Sequence, residues 1–188
     1  MSHKLIGLYS PAPGSGKSTV ARILQNHSSW QIVSFATPLK RMIASFLSSN
    51  GYGPDQIADL MGPDKEAVIP HLKLSTRQLM QTLGHEWGRT CVRPTVWTDM
   101  WIASVVRYAE QGVNVVVDDL RTGDEAEAIK NRGGEIWKIE RPLAKIKFPH
   151  ASEGGLDYYP DFDREISNDG DLTDLADKVL EAVQPIPV

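Results

Sequence analysis

The chain has 188 residues and a 41% hydrophobic fraction, enough for one domain with a real core and too little for two comfortable ones. Its net charge of −4 gives no electrostatic ground for gripping a nucleic-acid duplex. The single cysteine, Cys91, excludes an intrachain disulfide and makes no cysteine-based metal site.

The N-terminus leads straight into a short apolar run ending at Tyr9. That run is too short for a signal sequence or a membrane span, so cytoplasmic residence is expected. Residues 4–10 read as a buried strand, followed by a Gly/Pro-rich turn. Residues 16–26 read as a helix with an apolar face of Val20, Ala21, Ile23 and Leu24. A short strand is expected at 31–35. Thr37-Pro38 then marks a helix start, with Thr37 as cap and Pro38 at the first helical position, running to about residue 48. Residues 50–74 carry no clear period and read as an irregular insertion with one short helix at most. Ser75 and Gln78 fit a capping box for a helix from 76 to about 90, and another helix follows from about 96 to 111. Val-Asn-Val-Val-Val within 113–118 is nearly all apolar and β-branched, the pattern of a central parallel strand covered on both faces. A helix over 124–132 closes at Gly133-Gly134. A strand over 135–140 comes next, then an irregular stretch over 141–164 carrying Arg141, Lys145, Lys147 and His150. A final amphipathic helix over 172–183 is capped by Asp171. Alternating strands and helices predict a parallel sheet with helices on both faces. Irregular stretches as long as 50–74 and 141–164 are usually functional lids or disordered.

The first strand runs into Ser10-Pro11-Ala12-Pro13-Gly14-Ser15-Gly16-Lys17-Ser18-Thr19, whose Gly-Lys-Ser ending is that of a P-loop. Gly14 and Gly16 allow close approach of the backbone to phosphates. Successive N–H groups and the following helix N-terminus suit an anion. Lys17 suits the β- and γ-phosphates, and the Ser18 hydroxyl suits Mg²⁺. The full pattern wants glycine at position 11, where this chain has Pro11. The apolar strand ends in Asp118-Asp119, with Leu120-Arg121 beyond. Ligands of open α/β sheets bind outside the carboxyl ends of the strands. One of the two aspartates is therefore a candidate for the magnesium shell, or the pair simply ends a strand. Arg121 suits a transferring phosphoryl group, since guanidinium pairs two oxygens and stays charged.

These residues resemble the phage deoxynucleoside monophosphate kinases, which belong to the P-loop kinases. The resemblance runs through Gly14 to Thr19, Ser34-Phe35-Ala36-Thr37-Pro38-Leu39-Lys40, Arg77-Gln78, Gln81, Gly84, Trp87-Gly88-Arg89 and Trp97. It continues through Asp119-x-Arg121 with Glu125, then His150-Ala151-Ser152-Glu153 and Ile166-Ser167-Asn168. It implies a P-loop kinase three-layer sandwich, α/β, with a mostly parallel five-stranded sheet. An acceptor-binding helical insertion would lie at about 37–111 and a lid at about 141–164. ATP and Mg²⁺ would be held by Gly14, Ser15, Gly16, Lys17, Ser18 and Thr19, with Arg141 on the nucleotide and Ser18 and Asp119 on the metal. Phe35, Lys40, Arg77, Gln78, Gln81, Gly84 and Trp97 would line the acceptor site, and Lys17, Asp119, Arg121 and Glu125 would form the catalytic group.

From the residues alone, Arg77 and Gln81 lie four apart on one helix face, which suits phosphate and base but equally an ordinary polar surface. Trp97 and Trp101 also share a face, as a core pair or as a base-stacking wall. The resemblance implies transfer of the ATP γ-phosphate to a deoxynucleoside monophosphate. Another small acceptor, such as a nucleoside or a coenzyme precursor, is the alternative. A nucleotide-binding switch is a third reading, but no Asn-Lys-x-Asp motif is present. The expected partners are small-molecule nucleotides, with no nucleic acid and no membrane. Homodimer formation stays open. The resemblance places the protein in the host cytoplasm if it comes from a phage.

Overall fold

The computed structural model describes residues 3–12, 14–27, 29–142 and 155–184. The chain divides into two compact units, Met1–Ser34 with Ile102–Val188, and Phe35–Trp101.

The first unit is built on β1 (Leu5–Tyr9), α1 (Lys17–His27) and β2 (Trp30–Ile32). The second unit takes up the chain with α2 (Thr37–Ser49), α3 (Pro54–Met61), β3 (Val68–Ile69), β4 (Leu74–Ser75) and α4 (Thr76–Gln81). α4 continues into a π-helical segment, Thr82–Val92, and α5 (Val96–Glu110) follows, its residues from Ile102 onward belonging to the first unit. The first unit then resumes with β5 (Asn114–Val117), α6 (Gly123–Lys130), β6 (Glu135–Glu140), β7 (Arg164–Ser167) and α7 (Leu172–Val183).

The five strands of the first unit form one sheet in the order β2-β5-β1-β6-β7, and every neighbouring pair is parallel. β5 and β1 are central, and Val115, Val116, Val117 and Leu8 are fully buried, as the β-branched run requires of a strand covered on both faces. Ile6 and Leu8 of β1, Val116, Ile139 and Ile166 gather with Val20, Ala21 and Leu24 of α1 and Leu175 and Val179 of α7. α6 packs on β1 and β6. Its Ala126 and Ile129 are fully buried, and the helix ends where Gly134 N–H reaches back to the Ile129 carbonyl at 3.1 Å. α7 begins where Asp171 Oδ1 accepts from Thr173 N at 2.8 Å and Asp174 N at 3.0 Å, the N-cap expected of it.

Four differences from the sequence reading have physical reasons. β2 starts at Trp30 and stops at Ile32. Beyond it, Val33 still donates to the Val116 carbonyl at 2.9 Å, but Ser34 turns its side chain to another use. α2 is capped by Ala36, with no side-chain bond, and not by Thr37. The insertion at 50–74 is more ordered than expected. It holds α3 and a two-stranded antiparallel hairpin, β3 with β4, whose turn places Lys73 at φ 54°. The fifth strand, β7, begins at the last residue of the stretch that reads as irregular and covers residues to which the sequence reading gives no element.

In the second unit Ile43, Leu47 and Ile69 form a small core lined by Leu79, Met80 and Leu83. The capping box at the start of α4 forms as expected. Ser75 Oγ accepts from Gln78 N at 3.2 Å, and Gln78 Oε1 accepts from Ser75 N at 2.8 Å. Among the described residues no helix is long and apolar enough to cross a membrane.

Candidate active site

The loop after β1 is shaped residue by residue. Ser10, almost buried, folds its hydroxyl over the entry, accepting from Ala12 N at 3.3 Å and donating to Ala12 O at 3.2 Å. Pro11 needs no positive φ here, so the missing first glycine introduces no strain at the loop entry. Positive φ falls at Gly14 (77°) and Gly16 (106°), where only glycine is relaxed. Ser15 between them is buried. Val20 N then donates to the Gly16 carbonyl at 2.9 Å, which opens α1. The first turn of α1 is Lys17-Ser18-Thr19, with no acidic residue to neutralise the positive helix end. A turn of alternating glycines feeding such a helix end has the geometry that suits an anion.

Several first-unit groups converge on this loop. Arg141, just after β6, donates from Nη1 to the Gly14 carbonyl at 3.5 Å. Asn168, just after β7, donates from Nδ2 to the Ser15 carbonyl at 2.8 Å. On the other side of β1, the register Gly7↔Val117 sets the last residue of β5 level with Gly7, two residues before the end of β1, so Asp118 and Asp119 follow beside the strand that leads into the loop. Asp118 Oδ1 accepts from the Ser34 hydroxyl at 2.6 Å, which fixes that carboxylate between β2 and β5. Asp119 is half-buried next to it.

Arg121 is exposed, and its backbone is held by Glu125. The buried Glu125 carboxylate accepts from Arg121 N at 2.9 Å and Thr122 N at 3.3 Å. That geometry closes the turn before α6 and satisfies two of its free donors. Tyr9, the last residue of β1, gives its hydroxyl to Asp157 and stacks on Phe162 at 5.6 Å. Burial, followed by the hydrogen bond and charge of Asp157, raises the Tyr9 phenol well above its ordinary range. The Asp157–Phe162 stretch is thereby pinned to the strand that feeds the loop.

The residues expected at the acceptor site all fall in the second unit. Phe35 is buried against Trp101, with ring centroids 4.4 Å apart. Lys40 and Gln81 are exposed on α2 and α4. Arg77 pairs through Nε with Glu66 at the surface, and the Gln78 side chain is engaged in capping α4. Trp97 is 6% exposed. Its indole N–H donates to the Gly84 carbonyl at 2.8 Å, and its ring lies where a Cβ on Gly88 would come within 2.5 Å. The indole is thus a packing element of the π-helical segment, and π-helical turns occur frequently at functional sites. Of the expected lid, His150, Ala151, Ser152, Glu153, Lys145 and Lys147 lie outside the described residues. Ser34 and Asn168 are the groups for which the sequence suggests no role. Both sit inside the quoted motif segments, and only the fold gives each a partner.

The strand order, the glycine-rich turn on a helix N-terminus and the aspartates at the neighbouring strand end define a kinase of the P-loop sandwich class. A family model described as deoxynucleotide monophosphate kinase matches residues 55–179, and the chain belongs to that family. A protein of Acanthamoeba polyphaga mimivirus, provisionally named a deoxynucleotide monophosphate kinase, is 25% identical over 193 residues, covering 95% of each chain. A crystal structure of a Thermus thermophilus protein, TT1252, shares the fold. Its TM-score is 0.55 at 17% identity, and 97% of each chain is covered. The family match begins beyond the glycine-rich loop.

Proposed function

We propose that the protein transfers the γ-phosphate of ATP to a deoxynucleoside monophosphate, giving the diphosphate. The observation that carries this is the turn at 14–17. Two positive-φ glycines present backbone N–H groups at a helix start without acidic residues, and a lysine follows directly. The family membership supplies the acceptor class.

Gly14 has open space where a side chain would stand, which supports the approach of a polyphosphate to the loop backbone. Lys17 binds the β- and γ-phosphate oxygens and neutralises charge that grows as the phosphoryl group moves. Arg121 adds a second cation whose planar fork can follow that charge. Arg141, already bonded to the Gly14 carbonyl, extends the positive lining of the nucleotide side. Ser18 and Asp119 would hold Mg²⁺, which would supply further charge neutralisation for the phosphates. Ser34 fixes Asp118 so that the strand end presents its carboxylates in one arrangement. Glu125 acts through the backbone, holding Arg121 N in place. Arg77 and Gln81 of the second unit hold the acceptor's phosphate and base. Positioning and charge neutralisation suffice for in-line transfer, without a covalent enzyme intermediate.

The test is ADP release from Mg·ATP across a panel of deoxy- and ribonucleoside monophosphates, nucleosides and coenzyme precursors, in wild type and Lys17→Ala. Transfer to deoxynucleoside monophosphates, lost in Lys17→Ala with the melting temperature kept, supports the reading. Near-normal transfer by Lys17→Ala removes the loop from the reaction. Turnover on nucleosides alone replaces the acceptor.

A further inference from the structure

Asn168 is 9% exposed, although it follows β7 at the edge of the sheet. Its own N–H donates to the Glu140 carbonyl at 2.7 Å, which ties its backbone to the end of β6. Its side chain crosses to the glycine-rich loop, 153 residues earlier in the chain, and donates to the Ser15 carbonyl at 2.8 Å. Only the nitrogen end of the amide can face a carbonyl oxygen. An ideal Cβ on Gly16 would stand 2.4 Å from the same nitrogen, so the amide occupies the space that glycine leaves there.

In a trans peptide the C=O and the following N–H point in opposite directions. Holding the Ser15 carbonyl toward Asn168 therefore aims Gly16 N–H the other way. A flip of that peptide turns ψ of Ser15 and φ of Gly16, and glycine opposes the second rotation little. The residue that makes the cradle also makes its central peptide easy to reverse. A reversed peptide would present an oxygen to an anion in place of a donor. We propose that Asn168 is a positioning residue for the polyphosphate site, locking the Ser15–Gly16 peptide so that Gly16 N–H stays among the donors. This rests on the phosphate-loop reading above.

The experiment compares wild type, Asn168→Leu, Asn168→Asp and Lys17→Ala by Mg·ATP calorimetry, melting temperature and KM for ATP and for the acceptor. Losing the amide donor weakens ATP binding by about tenfold, the worth of one buried hydrogen bond. The acceptor KM stays within about twofold, because Asn168 is asked to act on one substrate only. The N168D defect narrows as pH falls from about 8 to about 5.5, because a protonated carboxyl can again donate to the Ser15 carbonyl, while the N168L defect does not change. Unchanged ATP affinity in both Asn168 variants, with Lys17→Ala lost, overturns the inference and leaves the loop reading standing. So does a parallel loss of ATP and acceptor affinity with a collapsed melting temperature, the mark of a purely structural role. Undiminished ATP binding by Lys17→Ala instead removes the loop reading on which the inference rests.

Discussion

Gly16→Ala is the perturbation with the most direct reading. Gly16 sits at φ 106°, well away from the left-handed basin that other residues visit. Forcing alanine there costs about 1–3 kcal/mol of backbone strain. The new methyl would also stand 2.4 Å from Asn168 Nδ2. The amide must then move, and the Ser15 carbonyl loses its partner, which costs about 1–3 kcal/mol more. A combined loss of about 3 kcal/mol lowers the melting temperature of a chain this size by roughly 6–12 °C. Gly14→Ala is the control. Its φ of 77° carries strain, but nothing lies within 4 Å of the added methyl, so the cost is about 1–2 kcal/mol. Calorimetric melting reads the difference between the two, and Mg·ATP titration reads the accompanying loss of affinity at Gly16. A Gly16→Ala protein that melts no lower than Gly14→Ala and binds ATP as tightly as wild type refutes the reasoning.

Trp97→Phe keeps an aromatic ring but leaves the Gly84 carbonyl without its donor, for a cost of about 1–2 kcal/mol. Trp97→Ala empties the space against Gly88 and costs about 3–5 kcal/mol. Urea unfolding measures both, and a Trp97→Ala cost below about 1 kcal/mol contradicts the packing role. Tyr9 predicts a specific pH dependence. Its phenol is raised above the ordinary value by burial and then by Asp157. The stability it contributes is therefore fully present below the unfolded phenol's pKa of about 10 and is lost as pH rises beyond it. Denaturant unfolding at pH 9 and pH 11 shows that decline, and Tyr9→Phe flattens it. An equal decline in Tyr9→Phe assigns the slope to other groups.

The parts of the fold written in local pattern were legible. The apolar, β-branched run at β5 announces a central strand, and Val115 to Val117 are indeed fully buried. The β6 and α7 limits match because a Gly-Gly stop and an Asp171 cap are local signals. The glycine-rich turn after β1 was legible from its local pattern, and Gly14 and Gly16 there take positive φ. What escaped depends on contacts made far along the chain. The β3–β4 hairpin has only two residues per strand, and its positive-φ residue is Lys73, not glycine or asparagine. The π-helical turn after Gln81 accompanies the indole of Trp97 seated against Gly88 and bonded to Gly84. β7 offers only Arg-Glu-Ile-Ser, too short and too polar to stand out, and its edge position buries Ile166 alone. Asn168 and Ser34 look like ordinary polar residues until the sheet order brings them to Ser15 and Asp118.

Titration of the protein with Mg·ATP by calorimetry, in wild type and Lys17→Ala, addresses the central claim most directly. Saturable one-site heat in wild type that disappears in Lys17→Ala is the expected outcome. Absence of heat in wild type, or equal binding by the two proteins, would contradict a polyphosphate site at the turn between β1 and α1.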